Sequence, residues 1–298
     1  MLKSRILLTG GTGFLGSRIC ENLLDHGYSV VVLKRSFSAT SRLTPFLENL
    51  DFFDIDRAPI DSAFLDFGRI DAIVHCATDY GRKQVDISQM VESNLMLPLR
   101  LLQIGASNGV GAFINSDTYL DKGVNEYSLS KKQFLEWLKV YSDRMSCRSM
   151  RLEHFYGPGD DPSKFVSWII DQFRRGVLEI PLTPGMQKRD FIFIDDVVEA
   201  YRLVLEEALM GSKGFAEYDV GVGVSIELRE LVKGIQKLFP DVATEPKFGA
   251  IPYRPNEVME SKIDIRPLEK LGWRPRTSLR DGLLKSLAWQ EDPITGGE

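Results

Sequence analysis

Thr9-Gly10-Gly11-Thr12-Gly13-Phe14-Leu15-Gly16 follows the apolar run Ile6-Leu7-Leu8 and opens onto a segment with helical spacing, Leu15, Ile19, Leu23 and Leu24. Strand, glycine turn and helix in that order predict the first βα unit of a dinucleotide-binding fold. Three glycines then have distinct physical roles. Gly10 makes a tight turn, Gly13 lets backbone approach a pyrophosphate, and Gly16 allows close packing of helix on strand. The helix start supplies free N–H groups and a partial positive charge for phosphates. The loop from Gly10 through Thr12, Gly13, Phe14 and Leu15 to Gly16 is therefore the expected phosphate contact. Elsewhere such a motif marks only a turn, and its place between strand and helix is what points to a ligand.

The chain has 298 residues, which suits one large domain or two intimate ones. Hydrophobic residues at 43% and charged residues at 27% are ordinary for a soluble globular protein. A net charge of −5 argues against nucleic acid as the main partner, because a surface that tracks phosphates needs a basic excess. Cys20, Cys76 and Cys147 are scattered and have no clustered histidines beside them, so they read as reduced thiols rather than a disulfide framework or zinc site. Met1-Leu2-Lys3-Ser4-Arg5 runs straight into the first strand, and no uncharged apolar run reaches the ~18 residues of a membrane span. The expectation is a cytoplasmic protein with no membrane partner.

Further along, Tyr28-Ser29-Val30-Val31-Val32-Leu33 reads as a buried parallel strand. In this architecture its end meets the adenosine ribose, where an acidic side chain would hydrogen-bond the 2′-hydroxyl of NAD. Here the position holds Lys34-Arg35-Ser36, and two cations and a hydroxyl suit a 2′-phosphate, so NADP(H) is expected. The other reading is a solvated basic loop. Asp71 to Thr78 looks like another strand, ending in small residues, Ala77 and Thr78, that let a cofactor approach; His75 inside it reads as a packed side chain. Asn94, in the helical stretch Met90 to Ile104, either bonds backbone near the active site or ties its helix down.

Ala112 to Ser116 is the next strand, with Asp117-Thr118 at its carboxyl end, where open α/β sheets bind ligands. Tyr127-Ser128-Leu129-Ser130-Lys131 then opens a helical run through Phe134, Leu138 and Tyr141. Tyr and Lys four apart on a helix share one face. A free tyrosine titrates near ~10, and a nearby ammonium lowers that value by stabilising the phenolate. Lys131 is placed to act so on Tyr127, and the Thr118 hydroxyl to hold a carbonyl oxygen beside the phenol. Alone, Tyr-x-x-x-Lys is common on helix surfaces; after the glycine loop and a hydroxyl-bearing strand end it reads as chemistry.

With these pieces in place the chain resembles the extended short-chain dehydrogenase/reductases, in their nucleotide-sugar epimerase/dehydratase group, over nearly its whole length. The resemblance rests on Gly10 to Gly16, on Tyr127 with Lys131, on Arg151-Leu152-Glu153-His154-Phe155-Tyr156-Gly157-Pro158-Gly159, and on Arg189-Asp190-Phe191-Ile192-Phe193-Ile194-Asp195-Asp196-Val197. Ala77-Thr78-Asp79-Tyr80-Gly81, Asn115-Ser116-Asp117-Thr118 and Met150 to His154 are most similar to the reductases of the 4-keto group of CDP-linked dideoxysugars. The resemblance implies Tyr127 as proton donor, Lys131 as its tuner and a contact to the nicotinamide ribose, and Thr118 as the hydroxyl on the reacting oxygen. Ser116 fills that role after a two-residue shift of register. Ala77 and Asn94 are implied as further cofactor contacts. Thr78, His154, Lys164, Arg189 and Arg254 are implied as contacts to a nucleotide-diphosphate sugar, where guanidinium forks suit phosphate oxygens. A homodimer is implied as well, through the helices holding Asn94 and Tyr127.

Three departures bear on the transfer. His154 stands where many relatives have Asn, and the segment from Thr118 to Tyr127 is short for an epimerase. Tyr119-Leu120 replaces the Asp-Glu pair of the dehydratases, which argues against elimination of water. Asp160 and Asp161 read as a helix-entry turn rather than a metal site, so no metal is expected. Asp195 and Asp196 read as a helix start. The expected fold is α/β, a doubly wound parallel Rossmann sheet with a smaller C-terminal substrate lobe closing over the strand ends. Residues 1–154 and 190–222 form the expected dinucleotide domain; 155–189 and 223–298 form the lobe, with Trp273 in it and a frayed tail from Glu291 to Glu298.

The resulting expectation is an NADPH-dependent 4-ketoreductase of a nucleotide-linked deoxysugar. The alternatives are a 4-epimerase with retained NAD and a non-catalytic NADP-binding regulator. Neither the base nor the sugar is legible.

Overall fold

In the computed structural model, which describes residues 4–81 and 86–289, the opening apolar run becomes strand β1 (Arg5–Thr9). Helix α1 (Phe14–Asp25) and strand β2 (Ser29–Lys34) follow, so the βα unit forms where the glycine loop predicts it. Next come β3 (Leu50–Asp54), α2 (Ser62–Asp66) and β4 (Ala72–His75). Helix α3 (Ile87–Val91) passes through a wide turn at Glu92–Met96 into α4 (Leu97–Ser107). Then β5 (Ala112–Thr118), α5 (Glu126–Val140) and β6 (Ser146–Leu152) alternate. The expected frayed tail at Glu291 to Glu298 lies outside the described residues.

The central sheet has the order β3-β2-β1-β4-β5-β6, every pairing in that run being parallel, and a seventh strand (Gly214–Val220) lies beside β6. Strand order reverses between β1 and β4, the point where doubly wound sheets bind ligands. Leu7 pairs with Val31 on one side and Ile73 on the other. The strands read as unbroken apolar runs because both faces are covered. Ile6, Leu7, Leu8, Val31, Val32, Ile73 and Phe113 are fully buried, each stabilising the fold by roughly 1.5–3 kcal/mol. Phe134 and Leu138 of α5 pack into the same core as Leu101 and Leu102 of α4.

The remaining elements are β7 (His154–Tyr156), α6 (Phe165–Arg174), β8 (Glu179–Leu182), β9 (Lys188–Phe193) and α7 (Ile194–Met210). After β10, the Gly214–Val220 strand of the central sheet, come β11 (Ser225–Glu227), α8 (Leu228–Gln236), β12 (Glu245–Phe248), α9 (Arg266–Glu269) and α10 (Leu279–Ala288).

Two compact units result: residues 1–152, 198–219 and 266–273 in the first, 153–197, 220–265 and 274–298 in the second. The division differs from the one read off the sequence by two or three residues at 153–154 and 220–222, and by longer segments at 190–197 and 266–273. Residues 190–197 cluster with the second unit because β9 pairs with β7 and β11 in a three-stranded sheet. The segment 266–273, ending in the buried Trp273, clusters with the first. In the second unit Asp196, in the first turn of α7, accepts from the Arg276 and Thr277 amides at 2.9 Å each, a structural rather than catalytic use of the carboxylate. Among the described residues no helix is long and apolar enough to cross a membrane, and no three metal-ligating side chains are grouped.

Candidate active site

At the reversal between β1 and β4 the backbone comes very close to itself. Gly10 has φ +72°, and a Cβ there would lie 2.6 Å from the Ala77 nitrogen and 2.7 Å from the Cys76 carbonyl carbon. A Cβ at Gly16 would lie 2.1 Å from the Gly10 oxygen, so α1 can start this close to the turn only without a side chain. Gly13 is the N-cap of α1 and is exposed, with no described side chain capping the first turn. A helix start without a side-chain cap suits an anion. Thr12 and Phe14 flank Gly13 half-buried, while Leu15 packs inward. Ala77 is held by its N–H to Thr9 Oγ1 at 3.2 Å, and Thr9 Oγ1 also shares a 2.8 Å bond with His75 Nδ1. Burial holds His75 well below the usual imidazole range, with Lys131 adding to the effect, so His75 is a neutral packed side chain.

The end of β2 is less open than its sequence suggests. Lys34 Nζ lies 2.7 Å from Asp54 Oδ1, and Ser36 bonds Asp56 through both its N–H and its hydroxyl at 2.7 Å. Arg35 is exposed, its guanidinium 4.8 Å from the Phe37 ring. The basic cluster thus faces two carboxylates contributed by and just beyond β3, a juxtaposition created only by the parallel pairing Lys34↔Asp54.

Helix α5 begins with a capping box: the Asn125 side chain accepts from Ser128 N at 2.9 Å and the Ser128 hydroxyl from Asn125 N at 3.2 Å. This sets Tyr127 in the first turn, half-buried, its ring 5.2 Å from that of Tyr80. One turn on, Lys131 is 1% exposed, and its ammonium has no hydrogen-bond partner among the described residues. Burial pulls its pKa down to about 8, with Asp117 and Cys76 pulling it back up. A buried cation left without a partner costs stability unless a ligand satisfies it. Together with the uncapped α1 start and the Gly10–Ala77 approach, this fits a dinucleotide with its phosphates at α1 and a ribose hydroxyl at Lys131.

Ser116 and Thr118 are two apart on β5 and so share a sheet face; both are buried. Thr118 Oγ1 accepts from Leu120 N at 3.2 Å. Lys132, which sequence reasoning passed over, donates to the Thr118 carbonyl at 2.7 Å and to Asp117 Oδ2 at 2.8 Å, clamping the strand end. Ser116 donates to Cys76 Sγ at 3.2 Å and accepts from the Tyr201 hydroxyl at 2.7 Å. Tyr201 was also missed. It sits in the apolar helix stretch Ala200-Tyr201-Arg202-Leu203-Val204-Leu205, where nothing local distinguishes it from core. Asn94, fully buried in the wide turn, accepts from Asp79 N and donates to Asp79 O, both at 2.8 Å, and donates to Ser130 Oγ at 3.1 Å. Its amide cross-links the loop after β4 to α5. Thr78 lies half-buried in that loop.

In the second unit His154 Nδ1 lies 2.8 Å from Glu153 Oε2, and the His154 ring packs edge-on to Phe191. Arg189 is buried and donates to Lys188 O at 2.7 Å and Glu257 Oε1 at 2.5 Å. Burial lowers its pKa, with Glu257 and Glu153 opposing. Lys164 lies 3.0 Å from Asp160 and 4.0 Å from the centre of the Phe155 ring, while Asp161 accepts from Ser163 N, closing the turn into α6. Arg254 is exposed at the start of a turn closed by Glu257 N on its carbonyl. Arg189 and Arg254 are thus brought near each other through one segment, 254–257; His154 and Arg189 both neighbour Glu153.

The profile of the NAD dependent epimerase/dehydratase family matches residues 6–221. CDP-abequose synthase of Salmonella muenchen is 34% identical over 97% of this chain and 99% of its own length. That of Salmonella typhimurium is 32% identical over 95% of this chain and 97% of its own length. Among solved structures, UDP-glucose 4-epimerase of Thermus thermophilus in complex with NAD superposes with a TM-score of 0.79 at 25% identity, covering 95% of this chain and 97% of that one.

Proposed function

The chain belongs to the NAD dependent epimerase/dehydratase family, and on that premise we propose that it reduces, with NADPH, the 4-keto group of a deoxysugar carried on a nucleoside diphosphate. Its family and its full-length relatives make it a nicotinamide-dependent enzyme that modifies nucleotide sugars. The observation that carries the finer reading is Lys131, a buried ammonium with no hydrogen-bond partner among the described residues, one helical turn from the half-buried Tyr127.

When bound, the reduced dinucleotide supplies hydride to the carbonyl carbon. Tyr127 gives its phenolic proton to the oxygen as negative charge develops there, and the C=O bond becomes a carbinol. Lys131 stabilises the phenolate that remains, and a β5 hydroxyl, Thr118 or Ser116, steadies the oxygen by donating to it. In this reading the first unit binds the dinucleotide, and in the second unit His154, Lys164, Arg189 and Arg254 contact the sugar nucleotide. Arg189 supports this role because its bonds to Lys188 and Glu257 leave other guanidinium N–H groups for phosphate oxygens. CDP as the carrier is favoured by the two relatives named for CDP-abequose synthesis. A homodimer is part of the proposal: Leu129, Trp137 and Val140 are exposed at helical spacing on α5.

One observation favours a second reading, a 4-epimerase with retained NAD: Asp54 and Asp56 beside Lys34 and Ser36 place carboxylates where a 2′-hydroxyl would be read. The deciding assay is NADPH consumption with a CDP-linked 4-keto-3,6-dideoxyhexose against turnover of UDP-glucose with no cofactor added. Consumption in the first with none of the second supports the reductase; the reverse refutes it. Loss of turnover in Tyr127→Phe separates either enzyme from a non-catalytic dinucleotide-binding regulator.

A further inference from the structure

Tyr201 stands on α7 and is 2% exposed, and its hydroxyl donates to Ser116 Oγ at 2.7 Å across 85 residues of sequence. Ser116 donates its own O–H to Cys76 Sγ at 3.2 Å. A serine oxygen carries one proton and two lone pairs. Tyr201 occupies one lone pair, which holds the oxygen in place, while the Ser116 O–H points at sulfur, a weak acceptor. An oxygen gaining negative charge is a far better acceptor than a neutral thiol, because hydrogen bonds to charged groups are roughly twice as strong. The Ser116 proton is therefore firmly aimed yet cheaply redirected. Donation from Tyr201 also polarises the Ser116 O–H, since chained hydrogen bonds strengthen one another by roughly 10–30%.

The same chain borders the reacting pair. Lys131 and Cys76 act on each other electrostatically, and Tyr201 is within electrostatic reach of Tyr80 and Tyr127. Thr118 is bound differently. Its oxygen is tied to the turn at Leu120, and its carbonyl is clamped by Lys132. We propose that Tyr201 is a positioning residue for Ser116, and that Ser116 rather than Thr118 is the hydroxyl presented to the reacting carbonyl oxygen. This rests on the reaction proposed above and holds for either direction of hydride transfer at that carbon.

The test uses the full chain and steady-state NADPH oxidation with a CDP-linked 4-keto-3,6-dideoxyhexose. It compares wild type, Tyr127→Phe, Tyr201→Phe, Ser116→Ala, Thr118→Ala and the Ser116→Ala/Tyr201→Phe double variant, each with its thermal midpoint. Ser116→Ala is expected to lower kcat about a hundredfold, as loss of one donor to a developing oxyanion does. Tyr201→Phe is expected to lower kcat about tenfold with KM within about twofold, a split that loose packing alone does not produce. The double variant is expected to match Ser116→Ala, because the Tyr201 hydroxyl acts only through Ser116. Should Tyr201→Phe fold poorly, the double variant, which removes both partners of the buried bond, still makes that comparison with Ser116→Ala.

A Tyr201→Phe kcat within twofold of wild type overturns the assignment. So do losses that multiply in the double variant, or a larger loss in Thr118→Ala than in Ser116→Ala. Wild type that turns over, and Tyr127→Phe that does not, isolates this failure from a failure of the proposed reaction. Wild type inert toward the substrate overturns both.

Discussion

Replacing Lys131 by methionine should make the unliganded protein more stable at neutral pH while abolishing turnover. Lys131 is 1% exposed, and burial holds its ammonium at about 8 where an ordinary lysine titrates at 10.5. The folded pKa lies below the unfolded one, so between about 8 and 10.5 the unfolded chain binds more protons and stability rises with pH. Below that window the folded state bears the full penalty of a charged, desolvated group. At about 1.4 kcal/mol per pH unit the gap amounts to about 3 kcal/mol at pH 7. Methionine has similar length and no charge, and Asp117 keeps its 2.8 Å partner Lys132, so the substitution removes the penalty without orphaning a carboxylate. For a chain of this size about 3 kcal/mol is roughly 6 °C in thermal midpoint. Thermal melts of both proteins from pH 7 to 10.5 should show the variant ahead at pH 7 and the two converging towards pH 10.5. A variant less stable than wild type at pH 7, or a constant difference across that range, refutes the reasoning.

Four other outcomes follow from particular contacts. Tyr127→Phe should lower NADPH-dependent turnover by about 100-fold or more while leaving the thermal midpoint nearly unchanged, as expected for loss of a general acid at a half-buried position. NADPH should raise the midpoint of wild type more than NADH does, and Lys34→Ala/Arg35→Ala should erase the difference; a wild-type preference for NADH would instead assign the β2 end to Asp54 and Asp56. Gly16→Ala drives a methyl to 2.1 Å from the Gly10 oxygen and should abolish dinucleotide-dependent stabilisation in thermal-shift titrations. Arg148→Ala removes a buried guanidinium that holds Glu207 at 2.6 and 2.8 Å and the Gly214 carbonyl at 2.9 Å; denaturant melts should show a loss of about 3 kcal/mol.

Legibility followed the range of the interactions. The Tyr127–Lys131 spacing and the glycine loop are set within a few residues, and the chain alone displays them. At Lys34 the local reading left a phosphate contact and a solvated basic loop both open, and only the β2–β3 register shows Asp54 at its ammonium. Asn94 left two readings open, and only the fold shows its amide tied to Asp79 and Ser130. Tyr201 was invisible, because a tyrosine among Ala200, Val204 and Leu205 looks like core until β5 supplies Ser116.

By itself, then, the sequence determined that a glycine turn joins a buried strand to an amphipathic helix, and that a tyrosine and a lysine share a helical face. Both follow from backbone sterics and periodicity, which act locally. Tertiary structure decided which of those groups lose water and which acquire partners. Lys131 is a poised cation rather than a surface charge because α5 is packed on the sheet, and Ser116 is aimed because α7 brings a phenol to it. Desolvation and long-range hydrogen bonding depend on what the whole chain places around a residue, and no window of sequence contains that.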